Sequence, residues 1–214
     1  MTREFTGLRP ERIRENLDRI RDQIARAGRD PNDVEVLAAT KYVSVDELPA
    51  LAEGGITLVG ENRAQDLVAK HARHGGDFTW DFIGALQSRK VKDVAPHVRL
   101  IHSLASESAM RQLEKHPVRE VLIEVNVAGE ESKAGIDPAD LPHYLEASPV
   151  PVTGLMCMPP FVENPEDSRR HFARLAELAG EHRLARLSMG TSQDYVVAIQ
   201  EGATIVRLGS VLYE

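Results

Sequence analysis

The chain has 214 residues, 42% of them apolar and 28% charged, an ordinary composition for a globular protein with no long disordered region. Its formal net charge is −7 and its basic residues are dispersed, which disfavours nucleic-acid binding but leaves room for a locally positive pocket. The opening Met1-Thr2-Arg3-Glu4-Phe5 lacks a secretory h-region and no stretch approaches the ~18 apolar residues of a membrane span, so a cytoplasmic protein is expected.

The first predicted element is a helix. Pro10 suits its first turn, Gly28 closes it, and Ile13, Leu17, Ile20 and Ile24 make one apolar stripe. Arg12, Glu15, Asp18, Arg21 and Asp22 cover the other face as solvated charge. Residues 34–39 then read as a buried parallel strand, with Thr40-Lys41 at its carboxyl end. Further strands are predicted at 57–60, 80–84, 100–103, 120–127, 152–156, 185–188 and 203–208. Helical patterns lie between them, at 46–53, 65–74, 91–95, 106–115, 141–147, 167–182 and 193–201. Ser44-Val45-Asp46-Glu47 resembles a capping box, and Gly202 suits a helix end. Such alternation predicts one domain over 1–214, a (β/α)8 TIM barrel with an extra N-terminal helix that could cover the barrel's bottom. A doubly wound open sheet is the second choice.

In a barrel the carboxyl ends of the strands converge on one mouth. Lys41 stands there, where an apolar enclosure would desolvate its amine and free it to condense with a carbonyl. Ser188, Gly190, Thr191 and Ser192 after the seventh strand, with Gly209 and Ser210 after the eighth, read as a monoester phosphate cradle. Arg207 lies between apolar Val206 and Leu208, so it points into the barrel, where it must meet either a ligand or an inward carboxylate. Asn62 can contact a ligand, and Glu61 can pair with a cation of the mouth. Gln87 and Ser88 read as a solvated loop, Lys133 as a surface lysine in a mobile loop, and Met156 and Met158 as core packing. The single cysteine, Cys157, excludes an internal disulfide and reads as a buried thiol. The histidines show no metal-binding spacing, and no nucleotide loop occurs.

Ala39-Thr40-Lys41, Gly60-Glu61-Asn62, Trp80-Asp81-Phe82-Ile83-Gly84-Ala85-Leu86-Gln87, Ser132-Lys133-Ala134-Gly135, Gly154-Leu155-Met156, Leu187-Ser188-Met189-Gly190 and Val206-Arg207-Leu208-Gly209 resemble, in order and spacing, the pyridoxal phosphate homeostasis protein family. That resemblance implies a barrel similar to the N-terminal domain of alanine racemase. It implies pyridoxal 5′-phosphate (PLP) held as a Schiff base on Lys41, with Arg207 facing the pyridine nitrogen. Ser188, Gly209 and Ser210 match its phosphate-binding positions, and Asn62 lies near the cofactor. Three positions depart from the family pattern: Asp81 for histidine, Arg89 for asparagine and Thr191 for methionine. The first two are expected to alter loop contacts beyond the cofactor. An arginine opposite the pyridine nitrogen leaves the ring a poor electron sink. With the sequence ending at Glu214, the domain from which alanine racemase takes its tyrosine is expected to be lacking, and none of Tyr42, Tyr144, Tyr195 and Tyr213 is obviously placed for that role.

The expected function is therefore a monomeric PLP carrier in vitamin B6 and amino-acid homeostasis, serving PLP-accepting apoenzymes with little or no turnover. The alternatives are a PLP-dependent amino-acid racemase and a sugar-phosphate barrel enzyme using Lys41 as a transient Schiff base.

Overall fold

The computed structural model describes residues 4–129 and 134–214. Its strands are β1 (Glu35–Ala39), β2 (Leu58–Glu61), β3 (Thr79–Phe82), β4 (Leu100–Leu104), β5 (Glu120–Glu124), β6 (Val152–Met156), β7 (Arg186–Thr191) and β8 (Ile205–Leu208). All are parallel and close in sequence order, β8 returning to β1 through the pairs Glu35↔Ile205 to Ala38↔Leu208. That last pairing is what an open sheet lacks, so the barrel expectation holds and the doubly wound alternative falls. The strands read as continuous apolar runs because both faces are buried. Leu37, Leu58, Leu100, Leu122, Met156 and Ile205 fill the inside. Residues of opposite parity, such as Ala38, Val59, Ile101, Ile123, Leu155 and Val206, pack outward under the helices.

The helices are α1 (Pro10–Arg26), α2 (Leu48–Glu53), α3 (Ala64–His74), α4 (Val91–Val94), α5 (Glu107–Leu113), α6 (Leu141–Ala147), α7 (Arg169–Glu181), α8 (Tyr195–Gln200) and α9 (Ser210–Tyr213). Ile13, Leu17, Ile20 and Ile24 of α1 are all buried, as their spacing requires. Yet α1 packs against α2, α8 and α9 and so joins the helical ring, rather than covering the bottom as expected. Asn16 fixes it there, donating from Nδ2 to the Leu212 carbonyl at 3.0 Å.

Two local expectations change. Ser44 makes no capping bond; Glu47 instead accepts from the Gly7 and Leu8 N–H groups at 2.7 and 2.9 Å and straps the N-terminal segment beside Tyr42 and Val43. β7 runs on to Thr191, where 185–188 was expected, because its pairing with β8 shifts register between Ser188 and Thr191. Gly190 permits the shift, at φ +92 and with a Cβ that would meet Ala198 Cβ at 2.6 Å and Tyr195 Cα at 2.9 Å.

Gly190→Ala combines left-handed strain with a steric clash, whereas Gly202→Ala, at φ +99 with only Leu187 Cδ1 at 3.7 Å, carries the strain alone. Strain of this kind costs about 1–3 kcal/mol. Urea unfolding should show Gly190→Ala as the more destabilised of the pair.

Candidate functional site

The carboxyl ends of the strands open onto a cavity of about 520 Å³. Lys41 and Tyr42 after β1, Asn62 after β2, Ile83 and Gly84 after β3, and Glu124 of β5 form part of its wall. Met156 and Met158, Thr191 and Ser192, Arg207, Gly209 and Ser210 complete the far side, and Phe5 reaches the rim from the strapped N-terminal segment. The alternation of inward and outward residues thus brings Lys41, Asn62, Arg207, Gly209 and Ser210 to one place from across the sequence.

Lys41 itself is exposed, with Nζ 4.8 Å from the Tyr42 ring centroid. The enclosed, desolvated amine expected from the sequence is not what the fold presents; the mouth is open. What is buried lies just behind. Lys70, on the inner face of α3, is 5% exposed and donates to the Thr40 carbonyl at 2.8 Å and to Glu61, which is wholly buried. Thr40 Oγ1 donates to Glu61 Oε1 at 2.7 Å, and the Asn62 N–H donates to Glu61 Oε2 at 3.1 Å. Glu61 therefore faces the helices rather than a cation of the mouth, and the ion pair ties down the residues flanking Lys41 and Asn62. Gly84 completes this wall, since a Cβ there would run into the Asn62 backbone.

Arg207 projects inward and is 6% exposed. Its guanidinium donates to the Ser188 carbonyl at 2.7 Å, to Ser188 Oγ at 2.6 Å and to the Cys157 carbonyl at 3.0 Å. No carboxylate lies within ion-pair distance of it among the described residues. Burial pulls its pKa down, against the opposing pull of Cys157, Glu124 and Asp194. Ser188 belongs to the floor: it is wholly buried, and its hydroxyl lies 2.8 Å from His102 Nδ1. His102 Nε2 lies 3.1 Å from Asp81 Oδ2, and Arg99 bridges Asp81 and Glu35 at 2.7 Å each. One assignment satisfies every group: Ser188 O–H donates to Nδ1 and Nε2–H donates to Asp81. Burial lowers the His102 pKa despite Asp81, so the ring is neutral at pH 7. Burial pushes Asp81 upward, but His102 and Arg99 outweigh it and hold the carboxylate below its ordinary range.

Asp81 is thus an inner-barrel residue, not the source of altered loop contacts that was expected. Arg89 is exposed and bonds Gln87 at 3.1 Å, in keeping with a solvated loop. Thr191 lines the cavity with its hydroxyl on Asp194 at 3.0 Å. Ser192 does not cap the following helix; its Oγ accepts from the Gly209 N–H at 3.0 Å and clasps the loops after β7 and β8 together. Cys157 is buried and its thiol is pushed up to about 12 by burial, so it is an unreactive core thiol as expected. Glu131, Ser132 and Lys133 lie outside the described residues. The sequence reading missed Lys70, His102 and Glu124. Lys70 alone had a signal, standing three residues after buried Leu67 on the apolar stripe of α3.

No family model matches the chain. The architecture places it among alanine-racemase-like barrels: alanine racemase of Corynebacterium glutamicum superposes with a TM-score of 0.68 over 96% of this chain and 61% of its own, at 15% identity, a likeness of fold alone. At the level of sequence, the pyridoxal phosphate homeostasis protein of Aquifex aeolicus is 43% identical over 95% of this chain and 96% of its own. PipY of Synechococcus elongatus, solved with PLP bound, has a TM-score of 0.80 and 30% identity over 94% of this chain and all of its own. The chain belongs to the pyridoxal phosphate homeostasis protein family.

Lys70→Met would leave the Glu61 carboxylate buried without its cation, a loss of about 3–5 kcal/mol. Urea denaturation should show it, with partial recovery in Lys70→Met/Glu61→Leu. Stability should also fall in acid by a worked sign. Unfolded histidine protonates below 6.5 while folded His102 resists, so stability drops as pH falls below that value. The Asp81 contribution is complete above 3.8 and is lost as pH falls through its lower folded value. His102→Gln should lessen the fall of the urea midpoint as pH drops below 6.5 and leave the acid limb below 3.8.

Proposed function

We propose that this chain is a PLP-binding carrier that serves intracellular vitamin B6 and amino-acid homeostasis, with little or no catalytic turnover. The observation that carries the reading is one cavity holding both an accessible primary amine, Lys41, and an inward guanidinium, Arg207, that no carboxylate among the described residues pairs with.

The residues fit the group. The cavity lies within the ~300–1,000 Å³ range of small-ligand sites. Asn62 Oδ1 is buried in the cavity wall without a hydrogen-bond partner among the described residues, as a side chain awaiting a polar ligand would be. When bound, PLP supplies an aldehyde for amines and an electron-withdrawing ring. Lys41 gives the amine for reversible covalent attachment. Ser210 and Gly209 border the cavity where Ser192 clasps the two loops, and these would hold the phosphate. Ser188 acts from beneath, orienting Arg207. A guanidinium has only donors and keeps its proton, so Arg207, facing the ring nitrogen as the resemblance implies, could not accept a proton bond from it and would leave it unprotonated. That suppresses the electron sink on which amino-acid chemistry depends.

The accessible mouth suits hand-over to PLP-accepting apoenzymes better than chemistry that must exclude water. We assign the whole chain, as one barrel domain, to this role, and expect a monomer working in the cytoplasm. No helix among the described residues is long and apolar enough to cross a membrane.

Borohydride reduction of PLP-loaded protein followed by peptide mass analysis should place one pyridoxyl group on Lys41. Lys41→Ala should lose it while keeping its far-ultraviolet circular dichroism. A label elsewhere, or none with excess PLP, defeats the assignment. Loaded wild type should also restore activity to an apo-aminotransferase, and steady amino-acid racemisation by the purified protein would overturn the carrier role.

A further inference from the structure

Among the described residues, Glu124 is the one carboxyl of the cavity, and the carrier reading leaves it unused. It ends β5, is 5% exposed, and lines the same wall as Lys41 and Arg207. Its side chain has no hydrogen-bond or ion-pair partner among the described residues. Arg207 on β8 and Cys157 after β6 interact with it electrostatically, Lys41 after β1 lines the same cavity, His102 lies on the neighbouring strand β4, and Asp194 before α8 acts on Arg207 and Cys157. Burial keeps His102 and Cys157 uncharged at neutral pH. Arg207 is the cation that acts on Glu124, and burial outweighs it, holding the carboxyl above its ordinary range.

A carboxylate and a phosphorylated ligand make poor company in so small a space, because both are anions and neither is fully hydrated. A neutral carboxyl, by contrast, is a strong hydrogen-bond donor. We propose that Glu124 is a further ligand-binding residue of this cavity, donating its proton in a hydrogen bond to an oxygen of the bound vitamer, and that its ionisation loosens the hold. The inference rests on the PLP reading and adds to it a pH dependence carried by one side chain. The sign follows from linkage: an anionic ligand favours protonated Glu124, so affinity falls as pH rises through the pKa of that group.

The test uses pyridoxine 5′-phosphate, which keeps the ring, the 3-oxygen and the phosphate but carries an alcohol in place of the aldehyde. It cannot bond Lys41, so imine formation drops out of the pH profile. Dissociation constants of wild type and Glu124→Gln are compared from about pH 5 to about pH 9. The amide remains a donor and cannot ionise. The two proteins should bind alike at the acid end, and wild type should be ~10-fold weaker for each pH unit above the Glu124 pKa. A constant ratio, or loss of binding in Glu124→Gln throughout, overturns the proposal. Absence of binding by wild type at every pH counts instead against the PLP reading itself. An independent measurement needs no ligand: the stability of Glu124→Gln relative to wild type should increase as pH rises from 4.5 through the folded pKa. If it does not, the carboxyl ionises as in water and the inference fails.

Discussion

A guanidinium buried inside a barrel with no carboxylate among the described residues against it is the constraint around which the rest of this structure is arranged. Desolvating a charge costs several kcal/mol even after relaxation, and Arg207 recovers this through oxygen acceptors rather than an ion pair. The register shift of β7 helps bring those acceptors to bear, because it lets Ser188 and Thr191 both lie beside β8. The hydroxyl of Ser188 passes the polar chain on to His102, Asp81 and Arg99, so the compensating negative charge sits deep in the barrel. Among the described residues, Lys41 and Arg207 are the cations that line the mouth of a protein whose net charge is −7.

The second organising element lies outside the barrel wall. Glu61 and Lys70 are buried between β2 and α3, and their bonds end on Thr40 and Asn62. Neither touches the cavity, yet they fix the backbone from which two of its residues extend. Firm backbone and an exposed Lys41 side chain are complementary. The first gives the amine a defined origin, and the second gives it access to a partner arriving from solvent.

The barrel was legible because parallel strands buried on both faces must be written as short apolar runs, and the eight runs at 34–39 through 203–208 are spaced for crossover helices. Lys41, Asn62, Arg207, Gly209 and Ser210 were legible from strand ends alone, since closure brings such ends together. What escaped was burial decided by distant partners. Lys70 on a helix and His102 in a strand look like ordinary surface and filler residues until Glu61 and Asp81 are placed beside them. Ser188 was read as a phosphate ligand because the pattern shows which strand it ends but not that Arg207 claims its hydroxyl. Glu47 read as a helix cap because its strap partners, Gly7 and Leu8, are remote in sequence. α9 was not seen at all, being too short for helical periodicity to register.

The strap has a topological corollary. Phe5 packs edge-on against Tyr213 with ring centroids 4.9 Å apart, so the first and last described segments meet at the β8–β1 seam. A circular permutant joined there by a short flexible linker and opened in a surface turn on the opposite side would conserve every strand pairing.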